Sequence, residues 1–108
     1  MYKNHRISLV MPCYNEERGL PEVFRDLDRN IVDEVIAVDN NSTDHTAEVA
    51  RHFGAKVIHE SKQGYGAAYK AGLRAATLGW AAFALPAGAL RAALRRGGRF
   101  AGPAAARA

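Results

Sequence analysis

The sequence predicts an α/β domain built on a parallel sheet, because strand-like and helix-like segments alternate along residues 1–77. Three short apolar runs have the length of buried strands, and a helical segment follows each of them. The runs are Ile7–Met11, Glu34–Val38 and Lys56–His59. We therefore predict three consecutive strand–helix units.

The first strand is predicted to stop at Pro12. The helix after it is predicted to begin near Pro21, since proline is tolerated in the first turn of a helix. Four apolar residues of this helix recur at i, i+3, i+4 and i+7 and form one face: Leu20, Val23, Phe24 and Leu27. Such a face packs against a sheet.

The second helix is predicted over Thr46–Phe53, because turn and cap residues precede it and Gly54 follows it. The third is predicted over Ala67–Ala76, where small residues cover much of the surface and Gly72 allows close packing. Together these elements make one small domain, which is what a chain of 108 residues can hold.

The composition of the chain changes after Thr77. The last 31 residues contain twelve Ala, five Gly, five Arg and two Pro, and no acidic residue. A wrong reading frame in GC-rich DNA produces this mixture, and we favour that origin. The alternative is a genuine Ala/Arg-rich tail with one short helix over Ala89–Arg96. We therefore divide the chain into a domain at 1–77 and an irregular or helical tail at 78–108.

The charge pattern argues against a nucleic-acid-binding face on the domain. The formal net charge is +4, yet residues 1–77 hold ten Lys/Arg and eleven Asp/Glu, and the tail holds five Arg. The single cysteine, Cys13, allows no internal disulfide and indicates a reducing compartment. The longest apolar stretch, Leu78–Leu90, is broken by Pro86 and is shorter than the roughly 20 residues that span a bilayer. We expect a soluble, cytoplasmic chain with no nucleic-acid partner.

Polar residues cluster at the carboxyl end of each predicted strand, where open parallel sheets bind ligands. Right-handed crossovers bring these ends to one edge of the sheet. The residues are Pro12, Tyr14, Asn15 and Glu16 after the first strand, Asp39 and Asn40 after the second, and Lys62, Gln63 and Gly64 after the third.

These residue types fit a nucleotide. The ring of Tyr14 can stack on a planar base. A fixed carboxylate such as Glu16 or Asp39 can accept hydrogen bonds from ribose hydroxyls or a base N–H. Lys62 supplies positive charge for a phosphate, and Gly64 lets the backbone approach it.

Each of these residues also has a plainer explanation. Pro12 and Asn15 are common turn residues, and Tyr14 is equally well explained as an aromatic at the edge of the core. Asp44 is expected to cap the second helix rather than to bind a ligand. Asp39 favours a function, because the turn after an apolar strand seldom requires a carboxylate.

No other motif of nucleotide or metal chemistry is complete. Residues 64–69 (GYGAAY) begin like a G-x-G-x-x-G fingerprint, but Tyr69 takes the place of the third glycine and no acid follows Glu60. The chain has no P-loop sequence. Its four histidines lack metal-ligand spacing, and Cys13 is predicted to be a small buried residue.

Three segments together resemble the N-terminal half of family 2 glycosyltransferases, which have the GT-A fold: ISLVMPCYNEE, VDEVIAVDNNSTDHTAEVA and SKQGYGAAYKAGL. Their order and spacing match over roughly residues 6–77. The resemblance implies a partial GT-A sheet that binds a nucleotide-diphosphate sugar, a UDP- or GDP-sugar. The variant QGYGAA is similar to members that transfer sugars to polyprenyl phosphates, which implies an intact form at the membrane surface.

The resemblance also implies roles for individual residues. The positions that contact the nucleotide in the family are matched here by Pro12, Tyr14 and Glu16. The position that binds base or ribose is matched by Asp39, with Asn40 beside it, and the loop that closes over the nucleotide by Lys62 and Gly64.

The sequence departs from the family after Thr77. The family places a D-x-D motif there, whose carboxylates hold Mg²⁺ or Mn²⁺ against the diphosphate, but this chain has no Asp beyond Asp44. Inverting members also use a later acid as the base for the acceptor hydroxyl, and no acid follows Glu60. We expect no catalytic residue and no metal ligand here, and hence a truncated or frame-shifted piece with little activity alone.

Three functions remain open. In the first, which we favour, the chain is a fragment of a glycosyltransferase. In the second, it is a non-catalytic module that binds a uridine or guanosine nucleotide. In the third, the Arg-rich tail of the chain binds anionic lipid or nucleic acid. The three predicted strands leave an apolar edge exposed where the family has a fourth. We expect that residues Trp80–Leu85 do not cover this edge well.

Overall fold

A computed structural model describes residues 3–76, 81–84 and 86–95 of the chain. Strands and helices alternate through these residues. They are β1 (Ile7–Cys13), α1 (Leu20–Asp26), β2 (Glu34–Asp39), α2 (Thr46–His52), β3 (Lys56–His59), α3 (Tyr65–Ala75), β4 (Ala81–Ala84) and α4 (Ala87–Arg95). The predicted boundary between residues 77 and 78 lies outside the described residues.

The strands form one sheet in the order β3-β2-β1-β4, and every neighbouring pair is parallel. This confirms the predicted α/β class. The expectation that Trp80–Leu85 does not cover the open edge of the sheet is wrong for Ala81–Ala84, which forms β4 and pairs with β1 from Ile7↔Ala81 to Val10↔Ala84. Trp80 and Leu85 lie outside the described residues. The sheet therefore has one strand more than the three strand–helix units predicted.

The prediction that the first strand stops at Pro12 is also wrong, since β1 continues to Cys13 and Pro12 pairs with Val38. In a parallel strand, successive residues direct their backbone groups to opposite neighbours. The Cys13 carbonyl accepts the Asn40 N–H on the β2 side, so Pro12 faces the β4 side. Pairing with β4 ends at Val10, and the missing N–H of proline therefore costs no hydrogen bond of the described sheet.

The sheet is covered on both faces. Helices α1, α2 and α4 contribute to one cluster of buried residues, which includes Leu9, Leu20 and Leu90. Helix α3 covers the other face, where Ala68 lies against Val10 and the central residues of β2. Burial on both sides explains why β1 and β2 are almost continuously apolar.

Gly72 confirms the expected close packing of α3. A Cβ at this position would lie 2.2 Å from Val10 Cγ1 and 2.9 Å from Val38 Cγ2.

Helix α3 begins at Tyr65, two residues before the prediction, and Gly64 precedes it with a φ of +118°. Helix α4 overlaps the helix predicted for a genuine tail, and Leu90 within it is 2% exposed. No helix of the described part of the chain is long and apolar enough to cross a membrane.

Candidate functional site

The loops after β1, β2 and β3 lie next to one another at one edge of the sheet. Cys13 pairs with Asp39, and Asp39 pairs with His59, so the three strands end at the same level. The structure therefore places the loops that carry the predicted polar residues at one edge of the sheet, as the topology predicts.

Asn15 fastens the first loop to the second. Its backbone has a φ of +51°, its N–H donates to Ser42 Oγ at 3.0 Å, and its Oδ1 accepts the Thr43 N–H at 2.8 Å. The neighbouring Glu16 N–H donates to Thr46 Oγ1 at 2.9 Å. These bonds agree with the explanation of Asn15 as a turn residue, because its side chain is used within the protein.

Asp44 lies just before His45, the N-cap residue of α2, and its carboxylate bonds to the first residue of the helix and to the first loop. Its Oδ1 accepts the Thr46 N–H at 3.0 Å and the Thr46 hydroxyl, and its Oδ2 accepts the Glu17 N–H at 3.2 Å. Burial raises the pKa of Asp44, but these hydrogen bonds outweigh it and hold the pKa below its ordinary value. The structure thus supports the capping role expected from the sequence.

Glu16 presents a buried acceptor to a cleft. Its side chain is 18% exposed, and within the described residues its Oε2 is buried without a hydrogen-bond donor. Arg91 Nη1 of α4 lies 3.7 Å from that oxygen, too far for a hydrogen bond. The cleft has a volume of about 370 Å³ and is lined by residues 15–19, Asp44 and Arg91.

Gly19 makes the approach of Arg91 possible. A Cβ on this residue would lie 2.1 Å from Arg91 Nη1 and 2.6 Å from Glu16 Oε2. Any other residue at this position would therefore push the guanidinium away from the carboxylate. Nothing in the sequence predicted this contact, because Arg91 lies in the segment expected to be foreign to the domain.

Asp39 is buried at the end of β2 and has a partner on each oxygen. Its Oδ1 accepts the Ser42 N–H at 3.0 Å, and its Oδ2 lies 3.2 Å from His59 Nδ1. No motif of the sequence predicted the contact between His59 and Asp39. The signal was the parallel register itself, which places His59 beside Asp39.

Asn40 is 5% exposed, and its side chain is used entirely within the protein. Its Nδ2 donates to the Glu60 carbonyl at 2.9 Å and the Lys62 carbonyl at 2.8 Å, while its Oδ1 accepts the Gly64 N–H at 3.1 Å. The Gln63 side chain also donates to the Asn40 carbonyl at 3.1 Å. Through these hydrogen bonds, Asn40 stabilises the conformation of the loop after β3.

The remaining predicted residues differ in their exposure. Pro12 is buried in β1, whereas the Tyr14 side chain is 51% exposed and accessible at the edge of the sheet. Lys62 and Gly64 are exposed in the loop that Asn40 holds.

Burial raises the pKa of the Cys13 thiol, and Glu16 and Asp39 raise it further, so this cysteine stays protonated. A protonated, buried thiol agrees with the structural role expected for Cys13.

The described residues do not offer a metal centre. Within residues 3–76, 81–84 and 86–95, no three His, Cys, Asp or Glu side chains are grouped so that they could hold an ion. The described part of the chain therefore shows no ligand group for a divalent cation.

Comparison with known proteins gives a consistent result. The family model for glycosyl transferase family 2 matches residues 8–84. An uncharacterized glycosyltransferase of Mycobacterium tuberculosis is 46% identical over 71 residues, which cover 66% of this chain and 32% of that protein. A dolichyl-phosphate hexose transferase of Haloferax volcanii is 46% identical over 72 residues, covering 64% of this chain and 31% of its own length.

Solved structures are similar as well. Glucosyl-3-phosphoglycerate synthase from Mycobacterium tuberculosis, in complex with Mn²⁺, UDP and glucosyl-3-phosphoglycerate, superposes with a TM-score of 0.63 at 28% identity. The match covers 75% of this chain and 33% of that one. The chain thus spans about a third of the length of the curated relatives and of the structure that it matches.

Proposed function

The chain belongs to glycosyl transferase family 2, and from this premise we propose that its described part binds the nucleotide of a nucleotide-sugar donor. In the proposal, the intact enzyme transfers a sugar from a nucleotide diphosphate to an acceptor. This chain supplies the part that recognises the donor. The proposal concerns binding by this chain and transfer only by the longer form.

The observation that carries the proposal is the buried Oε2 of Glu16, which lies 3.7 Å from Arg91 Nη1 but has no hydrogen-bond donor among the described residues. A buried acceptor without a donor costs free energy, on the order of 1–3 kcal/mol, and more when it is charged. A ribose hydroxyl that enters the cleft would provide the missing donor. The position of Glu16 supports this role, because it follows β1 at the edge of the sheet where Asp39 also lies.

The other residues have complementary roles in the proposal. Tyr14, exposed at the same edge, stacks on the base. Asp39 accepts a base N–H or a ribose hydroxyl, since each of its oxygens keeps a free lone pair after its present bond. Lys62 and Gly64 approach the phosphates from the loop after β3. Pro12 and Asn40 act indirectly, Pro12 from its buried place in β1 and Asn40 by holding that loop.

We take a uridine nucleotide as the first donor to test, with a guanosine nucleotide as the alternative. The similar solved structures contain UDP or UDP-glucose, which supports uridine. The acceptor of the intact form is proposed to be a polyprenyl phosphate, and the dolichyl-phosphate hexose transferase relative supports that class. Similar solved structures contain Mn²⁺. The proposed binding of the nucleotide to this chain does not require a metal ion.

Transfer by this chain alone is not part of the proposal. No acid follows Glu60, so neither a base for the acceptor hydroxyl nor a second metal-binding carboxylate is available after that point. Donor binding without transfer is the expected behaviour.

Calorimetric titration of UDP and GDP into the full chain tests the proposal. We expect binding of one nucleotide, loss of about 1–3 kcal/mol of binding free energy in Tyr14→Ala, and near-normal affinity in Tyr14→Phe, which keeps the ring. Glu16→Gln tests the carboxylate and keeps its size. The absence of binding for both nucleotides would reject the proposal, and equal affinities for Tyr14→Ala and Tyr14→Phe would reject the stacking role.

A genuine, non-catalytic nucleotide-binding module is the second candidate, and the packing of α4 favours it. Leu90 is buried in the core, and Arg91 reaches Glu16, so this part of the tail is integrated with the domain. Sequencing the encoding DNA and translating every forward frame separates the candidates. An Asp-x-Asp shortly after Thr77 in another frame would indicate an interrupted enzyme gene. If no frame restores one, the genuine module is favoured.

A further inference from the structure

Three polar side chains in contact with one another connect α2, β3 and β2 at the edge of the sheet. Arg51 Nη2 lies 3.3 Å from His59 Nε2, and His59 Nδ1 lies 3.2 Å from Asp39 Oδ2. Asp39 is the buried member of the three, with 10% of its side chain exposed, whereas His59 is 61% exposed.

The first contact decides which nitrogen of His59 carries the proton. A guanidinium can only donate, so His59 Nε2 must accept the hydrogen bond from Arg51. The neutral ring then has its proton on Nδ1, the nitrogen that lies 3.2 Å from Asp39 Oδ2. Arg51 therefore selects the tautomer that can hold the carboxylate.

The second contact restrains the Asp39 carboxylate on its other side. The Ser42 N–H donates to Oδ1 at 3.0 Å. His59 Nδ1 lies 3.2 Å from Oδ2, close enough for its N–H to attract the carboxylate. Each oxygen keeps lone pairs that these contacts do not use.

We infer that His59 is a positioning residue for nucleotide recognition: it orients Asp39, and Arg51 sets its tautomer. The inference rests on the proposed function, because it gives Asp39 the role of accepting a base N–H or a ribose hydroxyl. His59 does not touch the nucleotide itself, and acts by presenting the Asp39 acceptors in one arrangement before the ligand arrives.

The tautomer can be tested without any ligand. In nitrogen-15 NMR spectra of the full chain at neutral pH, we expect His59 to show a protonated Nδ1 and an unprotonated Nε2. Arg51→Ala removes the donor to Nε2, and we expect the Nε2-protonated tautomer to become populated. A wild-type spectrum with the proton mainly on Nε2 would overturn the inference.

Two substitutions of His59 test the effect on binding. His59→Asn keeps a side-chain donor near the position of Nδ1, whereas His59→Gln moves its amide to about the position of Nε2. We expect UDP to bind about fivefold more weakly to His59→Gln, as expected for one lost polar contact to Asp39, and within about twofold of wild type to His59→Asn. The matched control is His52→Ala, an exposed histidine of α2 whose ring contacts the edge of Phe53.

A third comparison separates positioning from a general effect on the fold. In an Asp39→Asn background, exchanging His59 for Gln should change UDP affinity by less than about twofold, since the carboxylate to be oriented is gone. A fivefold loss that persists in this background, or equal affinities for His59→Asn and His59→Gln, would overturn the inference. If wild type binds neither UDP nor GDP, the proposed function fails, whereas binding that is insensitive to His59 rejects only the inference.

Discussion

The side chain of Asn40 holds the backbone of Gly64 at 3.1 Å, and through this contact the end of β2 determines where α3 begins. The same side chain donates to two carbonyls of the intervening loop. One buried amide thus satisfies three backbone groups between β3 and α3, and it keeps Lys62 close to the edge of the sheet.

We predict that Asn40→Ala lowers the free energy of unfolding by about 2–3 kcal/mol, because three partly buried hydrogen bonds are lost. Asn40→Asp should lower it more, since a carboxylate cannot donate to the Glu60 and Lys62 carbonyls. Urea denaturation measures both. Ser61→Ala, an exposed change in the same loop, is the control and should stay within about 0.5 kcal/mol. A similar small effect for Asn40→Ala would contradict the role of this side chain.

Gly72 and Gly66 form a matched pair on α3. Gly72→Ala should destabilise the protein by about 1–3 kcal/mol, because the new methyl group overlaps Val10 and Val38 in the core. Gly66→Ala should stabilise it by about 0.5–1 kcal/mol, since a Cβ there meets nothing within 4 Å and alanine favours a helix. Thermal and urea denaturation of the two variants check the difference in sign. Destabilisation of equal size in both would show that α3 does not pack as described.

The parts of the fold that local pattern determines could be predicted from the sequence. β3 has the predicted bounds, and Gly72 lies at the predicted close approach. In both cases the signal is confined to a few neighbouring residues. Pro12 was misjudged because proline interrupts a strand only where a partner needs its N–H, and that depends on the length of β4.

β4 could not be predicted for a different reason. Its sequence, AAFA, has a weak strand propensity, and its pairing with β1 is a tertiary interaction. Topology correctly predicted that the loops after β1, β2 and β3 meet at one edge of the sheet. The hydrogen bonds that hold the side chains of Asn15 and Asn40 join residues 20 or more positions apart, and local pattern does not reveal such pairs. The bond from the Ser42 N–H to Asp39 is local.

The capping carboxylate Asp44 predicts how stability changes with acid. Its pKa is lower in the folded protein than in the unfolded chain, so the unfolded state binds its proton first as pH falls. The stabilisation from Asp44 is present above the unfolded pKa, about 3.9, and is lost as the pH falls through the lower folded value.

The free energy of unfolding, measured by urea from about pH 6 to about pH 2.5, checks this dependence. We expect wild type to be more stable than Asp44→Asn at the upper end and the difference to shrink toward the lower end. Asp26→Asn, which removes an exposed carboxylate paired with Arg25 at the surface, is the control. A difference between wild type and Asp44→Asn that does not change with pH would contradict the lowered pKa.

The last prediction concerns the metal that accompanies UDP in similar solved structures. The described residues offer no group of three ligands, and the sequence has no acid beyond Glu60. We therefore expect UDP to bind this chain with the same affinity, within about twofold, in Mn²⁺ and in EDTA, since nothing in the protein adds to the metal's own affinity for the diphosphate. Calorimetry at matched concentrations of free UDP measures the two affinities.

Titration of Mn²⁺ into the protein without nucleotide is the control and should give no binding heat. A tenfold tighter complex in Mn²⁺ would mean that the chain does complete a metal site, and Glu16, whose buried oxygen lacks a donor, would then be the first ligand to test by exchange for Gln.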